Sequence, residues 1–248
     1  MPKSNSLEFT SLPLFDASIR LVPSVLLGWE LESVFEVATH AKDRGWTPKA
    51  AFGFESSPGG GSASNLDLLD LSVWRIERPD GREIHFQPNL VRTSWKKDLD
   101  RLGVGYCRFD PLLDSAVEGV QWIESRFEAS IPIKTVNISY RNIVEVDEPS
   151  TFIEKYLAEH LHQRDITNGN TLHNYSMIWH TTEGIDLRFQ VVRDSSAGRF
   201  ILETAGGISL ERDNHDWKSS LVVVHNALQS LMRQSISDEA KQLWGLLN

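Results

Sequence analysis

Residues 217–233 read WKSSLVVVHNALQSLMR, and their spacing decides the last large element of the chain. Trp217, Leu221, Val224, Leu228, Leu231 and Met232 fall on one stripe opposite Lys218 and Arg233, the pattern of a helix with one buried face. Upstream, the stretches Tyr175–Thr181, Ile185–Val192 and Arg199–Thr204 are rich in aromatic and β-branched residues. Turns at Glu183-Gly184 and Ser195–Gly198 separate them, which predicts three strands leading into that helix. A short helical tail over Ser237–Leu247 follows it.

Moving towards the N-terminus, Ser150 is placed to cap a helix through Phe152, Ile153, Tyr156 and Leu157. The segment Ile131–Val146 reads as a strand with Val136, Ile138 and Tyr140 on one side. Asp110-Pro111 reads as a helix start, a capping carboxylate followed by a ring preset for the first turn, with Leu113, Val117, Val120, Ile123 and Phe127 as the buried face. Before it lies a meander. Leu69, Leu71 and Val73 alternate with polar residues, Pro79-Asp80-Gly81 turns the chain into a strand around Ile84 and Phe86, and Pro88-Asn89 turns it again into Leu90–Trp95. The run SSPGGGSAS at 56–64 has the composition of a flexible loop. Leu27, Leu31, Val34, Phe35, Ala38 and Ala41 mark an earlier helix with Lys42 and Arg44 in its last turn and Gly45 as its left-handed cap. Ile19 and Leu21 belong to a short strand stopped by Pro23, after a polar leader over residues 1–16.

The order is β-α-βββ-α, then β-α-βββ-α again, which predicts an α+β chain of antiparallel sheets with helices packed on one face, closed by the amphipathic C-terminal helix. The repeated order reads as a structural pseudo-repeat without sequence identity between its copies, with coincidence as the alternative. A single domain over 1–248 is expected, with halves at 17–128 and 129–248.

Composition sets the class. With 40% hydrophobic and 24% charged residues, the chain has the make-up of a folded globular protein. No apolar run approaches the roughly 20 residues that cross a bilayer, and no apolar segment follows Lys3, so a cytoplasmic protein without membrane contact is expected. Cys107 is the only cysteine, which excludes an internal disulfide and fits a reducing compartment. The net charge of −9 opposes attachment to nucleic acid, because phosphate binding needs the opposite field.

Several segments resemble, in order, a sporadically distributed bacterial family of uncharacterised proteins of similar length. Tyr106-Cys107-Arg108-Phe109-Asp110 is similar to its Tyr-Pro-Arg-Tyr-Glu segment, and Trp95 falls where its preceding strand ends in tryptophan. Asn137–Ile143 resembles its Leu-Arg-Tyr-Ile-Asn strand, while His225, Ile236-Ser237-Asp238 and Trp244 match its His, Ile-Thr-Asp and Trp ending. The chain departs from that pattern at Cys107, where the family has proline, and at Ser139, where it has arginine. A ligand role for that arginine would fall to Arg141, on the opposite face. The resemblance implies a fold and little chemistry, together with an association with mobile or defence islands such as toxin–antitoxin and anti-phage modules.

No catalytic pattern emerges. Gly59-Gly60-Gly61-Ser62 is not followed by Gly-Lys-Ser/Thr and opens no helix, so it lacks the context of a phosphate loop. Nor does Ser62 sit in a nucleophile elbow. His160 and His162 are two apart on a helix, where side chains diverge by about 200°, and read as surface residues. Glu145 and Asp147 read as a solvated strand end, and Cys107 as a packing residue. His225 is the one suggestive histidine, a hydrogen-bonded core residue or else a general base, acting with a nearby carboxylate, or a contact to a ligand. No cofactor or metal is expected. Candidate ligand or partner contacts are Trp95, Tyr106, Arg108, Tyr140, Asn142 and His225, whose polar members equally suit a structural network between helix and sheet. The expected function is a non-enzymatic interaction protein whose partner is encoded nearby, with the eight tryptophans as interface anchors. The alternative is a small-molecule or nucleotide sensor gripping a ligand between a curved sheet and the C-terminal helix.

Overall fold

In a computed structural model, which describes residues 14–28, 31–49, 74–97, 108–146, 148, 151–162, 174–194, 198–210 and 216–245, the described residues form nine strands and six helices, an α+β arrangement. Two compact units divide the chain. An N-terminal unit comprises Ser18–Val136 with Leu210–Trp217, and a C-terminal unit comprises Met1–Ala17, Asn137–Ser209 and Lys218–Asn248. No helix among the described residues is long and apolar enough to cross a membrane. The loop at 56–64, the strand expected around Leu69–Val73, and Tyr106, Cys107 and Ser150 lie outside the described residues.

The N-terminal unit is built on the meander. Strands β2 (Thr47–Lys49), β3 (Trp74–Glu77), β4 (Arg82–Gln87) and β5 (Leu90–Lys96) lie side by side and antiparallel, with β1 (Leu14–Pro23) next to β5. Register pairs Ile84 with Thr93 and Phe86 with Val91, and it also sets Trp74 opposite Phe86, where the rings stack with centroids 4.3 Å apart. The turn at Pro79-Asp80-Gly81 is present as expected. Gly81 has φ +86°, and its N–H donates to Arg78 O at 3.1 Å. Trp95 Nε1 donates to Asp80 O at 3.1 Å, which locks the turn against the end of β5.

Helix α1 (Leu31–Asp43) ends as its sequence predicts, with Gly45 at φ +79° and its N–H donating to Lys42 O at 3.0 Å. Helix α2 (Phe109–Phe127) differs from expectation in two respects. Its N-cap is Arg108, in extended conformation and without a side-chain cap, so Asp110 sits inside the first turn. Its buried face also runs through Leu112, Ser115, Ala116, Gly119, Val120 and Ile123, while Leu113 and Val117 are half-buried and Phe127 is exposed. The small residues explain the rotation. A Cβ on Gly119 would stand 3.2 Å from Ile84 Cγ2 and 3.6 Å from Val91 Cγ1, so the helix approaches β4 and β5 along its smallest side chains rather than its largest.

In the C-terminal unit the strand order is β6 (Ile133–Glu145), β9 (Arg199–Ser209), β8 (Ile185–Asp194), β7 (Asn174–His180), with β7–β8 and β8–β9 antiparallel. Ile185, Leu187, Phe189 and Val191 alternate towards the core, as do Phe200, Leu202, Thr204 and Gly206. β9 runs five residues beyond Thr204, because Ile185 of β8 pairs with Ile208 and needs that length of partner. Helix α5 (Trp217–Ser235) buries Leu221, Val224, Leu228, Leu231 and Met232, each contributing about 1.5–3 kcal/mol if fully removed from water.

Short helices α3 (Phe152–Tyr156) and α4 (Glu159–His162) and the final α6 (Asp238–Leu243) close the unit. Thr151 occupies the α3 N-cap without a side-chain cap bond. Ser237 caps α6 by accepting from Ala240 N at 3.0 Å. An aromatic stack runs from Phe200 to Phe152 (3.9 Å), Tyr156 (5.4 Å) and Trp244 (5.8 Å) and ties β9, α3 and the residue that ends α6.

Two glycine turns provide a controlled comparison. A Cβ at Gly81 would lie 2.8 Å from Lys96 O, whereas Gly184, at φ +76°, faces open space. Gly81→Ala is expected to lower stability by about 2–4 kcal/mol and Gly184→Ala by about 1–2 kcal/mol, since only the first adds a backbone collision to left-handed strain. Urea unfolding of the two variants checks the difference; equal losses would contradict the turn geometry.

Candidate functional site

The sheet of the C-terminal unit has two faces with different chemistry. On β6 the even residues Ile138, Tyr140, Asn142 and Val144 share one face, and strand alternation sends Arg141 to the other. Tyr140 meets α5: its hydroxyl and His225 Nδ1 share a hydrogen bond of 2.8 Å, with ring centroids 5.9 Å apart. His225 is 5% exposed, and burial pushes its pKa down to about 4. The neutral imidazole so favoured has one N–H and one acceptor nitrogen, and its tautomer sets which of the two groups donates in the Tyr140–His225 bond. Asn142 is 1% exposed; its Nδ2 donates to Leu202 O at 3.5 Å, and its Oδ1 has no hydrogen-bond partner among the described residues.

Of the six residues singled out from sequence, Tyr140, Asn142 and His225 belong to this unit, and Tyr140 and His225 are joined directly. Trp95 and Arg108 belong to the N-terminal unit, where Trp95 is buried against the Asp80 turn and Arg108 is exposed at the start of α2. Tyr106 lies outside the described residues.

On the opposite face, Glu203 of β9 is 8% exposed and pairs with Arg141 Nε at 2.8 Å and with Arg188 Nη2. Arg141 is therefore engaged by a carboxylate, and it is the buried Glu203 that needs such partners out of water.

A cleft of about 590 Å³ lies within the same unit, between α4, the β7–β8 hairpin and the second half of α5. Leu161, Met177, Leu187 and Leu231 form its buried floor, and Trp179 is left half-buried in its wall. His160, His180, Thr181, Ser230 and Gln234 supply polar groups. His180 Nδ1 is 2.6 Å from Asp186 Oδ1. Among the described residues the lining contains no Lys, Arg, Asp or Glu. Sequence reasoning placed His160 on the surface, where it is, and missed the cleft. The available signal was Ser230 and Gln234 four apart on α5, with a tryptophan on a strand of alternating exposure.

The N-terminal unit offers a more polar cleft of about 520 Å³ beside α2, lined by Arg44, Arg78, Arg82, Asp114 and Glu118 among others. Glu118 is its hub, accepting from Trp46 Nε1 at 3.0 Å and Arg78 Nη2 at 3.4 Å and pairing with Arg44 at 3.5 Å. Arg78 also covers the Trp46 ring at 4.5 Å. Arg82 donates to Asp80, Pro111 O and Ser115 Oγ. Burial alone would raise the Asp80 pKa, but the Arg82 hydrogen bonds and charge hold it below the usual carboxylate value. The Glu83 carboxyl is held down chiefly by its hydrogen bond with His85, against the effect of burial. Every arginine here has an internal partner, so the cluster reads as a structural network.

Among the described residues no group of three or more His, Cys, Asp or Glu is placed to hold a metal ion. No family model and no curated protein sequence matches the chain.

His225 makes stability depend on pH in a defined window. The folded-state pKa of about 4 lies below the unfolded value of 6.5, so the unfolded state binds the extra proton between them. Stability from this group is complete above about pH 6.5 and is lost as pH falls towards 4, by an amount on the order of 3 kcal/mol. Urea unfolding at a series of pH values should show that slope, and His225→Gln should remove it. An unchanged slope in the variant would mean that another group titrates.

Proposed function

We propose that the chain is a non-enzymatic interaction protein, an accessory, antitoxin or defence-system component that acts in the bacterial cytoplasm by binding a partner protein encoded nearby. The observation that carries this reading is the cleft of the C-terminal unit, whose described lining has no Lys, Arg, Asp or Glu, with Trp179 in its wall over a floor of Leu161, Met177, Leu187 and Leu231. Six of the eight tryptophans, Trp46, Trp74, Trp95, Trp122, Trp217 and Trp244, are buried, so they are core residues rather than anchors. Among the described tryptophans Trp179 is the half-exposed one, and a half-exposed aromatic beside an apolar floor has the make-up of an interface hot spot. The resemblance to a family carried on mobile or defence islands supports the same reading, as does the β-α-βββ-α order, which we take as a pseudo-repeat interrupted by the additional strand β2 and helix α4.

The second reading is a small-molecule sensor. It is favoured by the position of the cleft between a sheet and the C-terminal helix and by a volume within the range of ligand pockets, which run from about 300 to 1,000 Å³. Among the described residues the lining has no lysine or arginine to meet a phosphate, so this reading favours an uncharged metabolite over a nucleotide.

Co-expression with the products of the adjacent genes tests the leading reading. Wild type is expected to retain one of them through affinity purification and gel filtration. Trp179→Ala should weaken that complex about tenfold or more while leaving the far-ultraviolet dichroism unchanged. A chain that elutes alone, or a complex indifferent to Trp179→Ala, would refute the assignment of this cleft.

A further inference from the structure

The outer strand β7 is unusual in what it leaves open. Thr181 N–H donates to Ile185 O at 2.9 Å, which makes Thr181 and Ile185 a hydrogen-bonded pair. The constant register then makes Trp179–Leu187, Met177–Phe189 and Tyr175–Val191 the pairs that exchange main-chain bonds with β8. The main-chain N–H and C=O groups of the intervening Ser176, Ile178 and His180 point away from β8, and these three residues are exposed. Among the described residues β8 is the only strand beside β7.

Edge strands are ordinarily blunted by shortness, proline or charge. β2, the outer strand of the N-terminal unit, has all three: it is three residues long, with Pro48 at its centre and Lys49 at its end. β7 has none. Its seven residues NYSMIWH contain no Pro, Lys, Arg, Asp or Glu, in a chain that is 24% charged, and Ile178 at the middle of the open edge is 64% exposed.

We infer that β7 pairs with β7 of a second copy of this chain, antiparallel about a two-fold axis at Ile178. The strand is self-complementary in that register. Placing Ile178 opposite the partner's Ile178 sets Ser176 opposite the partner's His180, so the three residues with outward main-chain groups meet their own kind and exchange hydrogen bonds. On the other face, Met177 comes opposite the partner's Trp179, a thioether against an aromatic ring. No like-charge pair arises along the strand, and the exposed isoleucines cover each other. An acidic or basic peptide would gain no ionic partner on this edge, whereas a second β7 satisfies both its main chain and its central side chain.

Sedimentation velocity of the full chain over roughly a hundredfold range of concentration tests the inference, because a mass-action dimer must dissociate on dilution. Wild type is expected to dimerise, and Ile178→Lys, which places two like charges at the axis, should weaken the dimer at least tenfold with unchanged dichroism. In a Cys107→Ser background, Ile178→Cys should form a disulfide dimer on mild oxidation, whereas Lys42→Cys, on exposed α1, should not. A wild type that remains monomeric overturns the proposal, even if it captures a synthetic extended peptide along β7. A dimer that survives Ile178→Lys, or that crosslinks equally through Lys42→Cys, overturns it as well.

Discussion

Helix α5 can lie against β9 because β9 has no side chain at the point of contact. A Cβ on Gly206 would stand 2.8 Å from Leu187 Cδ2 and 3.2 Å from both Leu228 Cδ2 and Asp186 O, so the helix, the strand and its neighbour β8 all converge on that one missing atom. Once Leu228 is seated there, helical periodicity directs Leu221, Val224 and Leu231 to the same side, and the remaining core follows. The N-terminal unit reaches the same result with the glycine on the other partner. Gly119 belongs to helix α2, and the side chains it admits, Ile84 and Val91, belong to β4 and β5. In both units a helix is positioned by absent volume, which large hydrophobic residues then fill around it.

Close approach has a consequence for the polar residues trapped beside it. His225 lies one position from the apolar stripe, so bringing α5 down onto the sheet carries an imidazole out of water; burial lowers its pKa, and Tyr140 supplies the hydrogen bond that a buried ring nitrogen requires. The far side of the same sheet solves a harder problem, because Glu203 is a carboxylate and stays buried only with two guanidinium partners. Both groups link different elements: Tyr140–His225 joins β6 to α5, and Glu203 joins β9 to β6 and β8. A one-residue slip of β6 would send Tyr140 to the arginine face and Arg141 under the helix. These polar contacts therefore specify register more sharply than the apolar pattern can, since isoleucine and valine on either face tolerate exchange.

This division explains what could be read from the sequence. The hairpin of β4 and β5, the Gly45 end of α1, the three C-terminal strands and α5 were legible because each is marked by local signals: alternation, turn glycines and helical spacing; β2 and β3 were not, and α1 buries Val37 and Ala41 while Phe35, which its spacing ranked as core, is exposed. The rotation of α2 was not. Local pattern ranks Leu113 and Val117 above Ser115 and Gly119 as core residues, and only the strands opposite show that small side chains must face inward. The extra length of β9 was hidden for the same reason, since Ala205-Gly206-Gly207 has poor strand propensity and is held by pairing with β8. His225 and Tyr140 were singled out separately as polar residues on apolar elements, and their meeting across 85 positions of chain is a tertiary fact. The cleft was the least legible feature, because its floor comes from four elements and its polar groups are common surface types.

The distribution of charge bears on how the C-terminal unit meets other molecules. Net charge −9 belongs to a chain in which six of the described arginines are held by carboxylates of their own unit: Arg44, Arg78 and Arg82 in the network around Glu118 and Asp80, Arg141 and Arg188 on Glu203, Arg199 on Asp194. Ionic groups thus serve to hold elements together within each unit. Among the described residues, the lining of the α5 cleft and the strand β7 include no Lys, Arg, Asp or Glu. Association at such a surface draws on apolar burial and main-chain hydrogen bonds, so it should respond weakly to salt, in contrast to the steep salt dependence of charge-steered complexes. A surface of that kind discriminates by shape and by strand register, and the neutrality of NYSMIWH in so acidic a chain is the feature that makes such discrimination available.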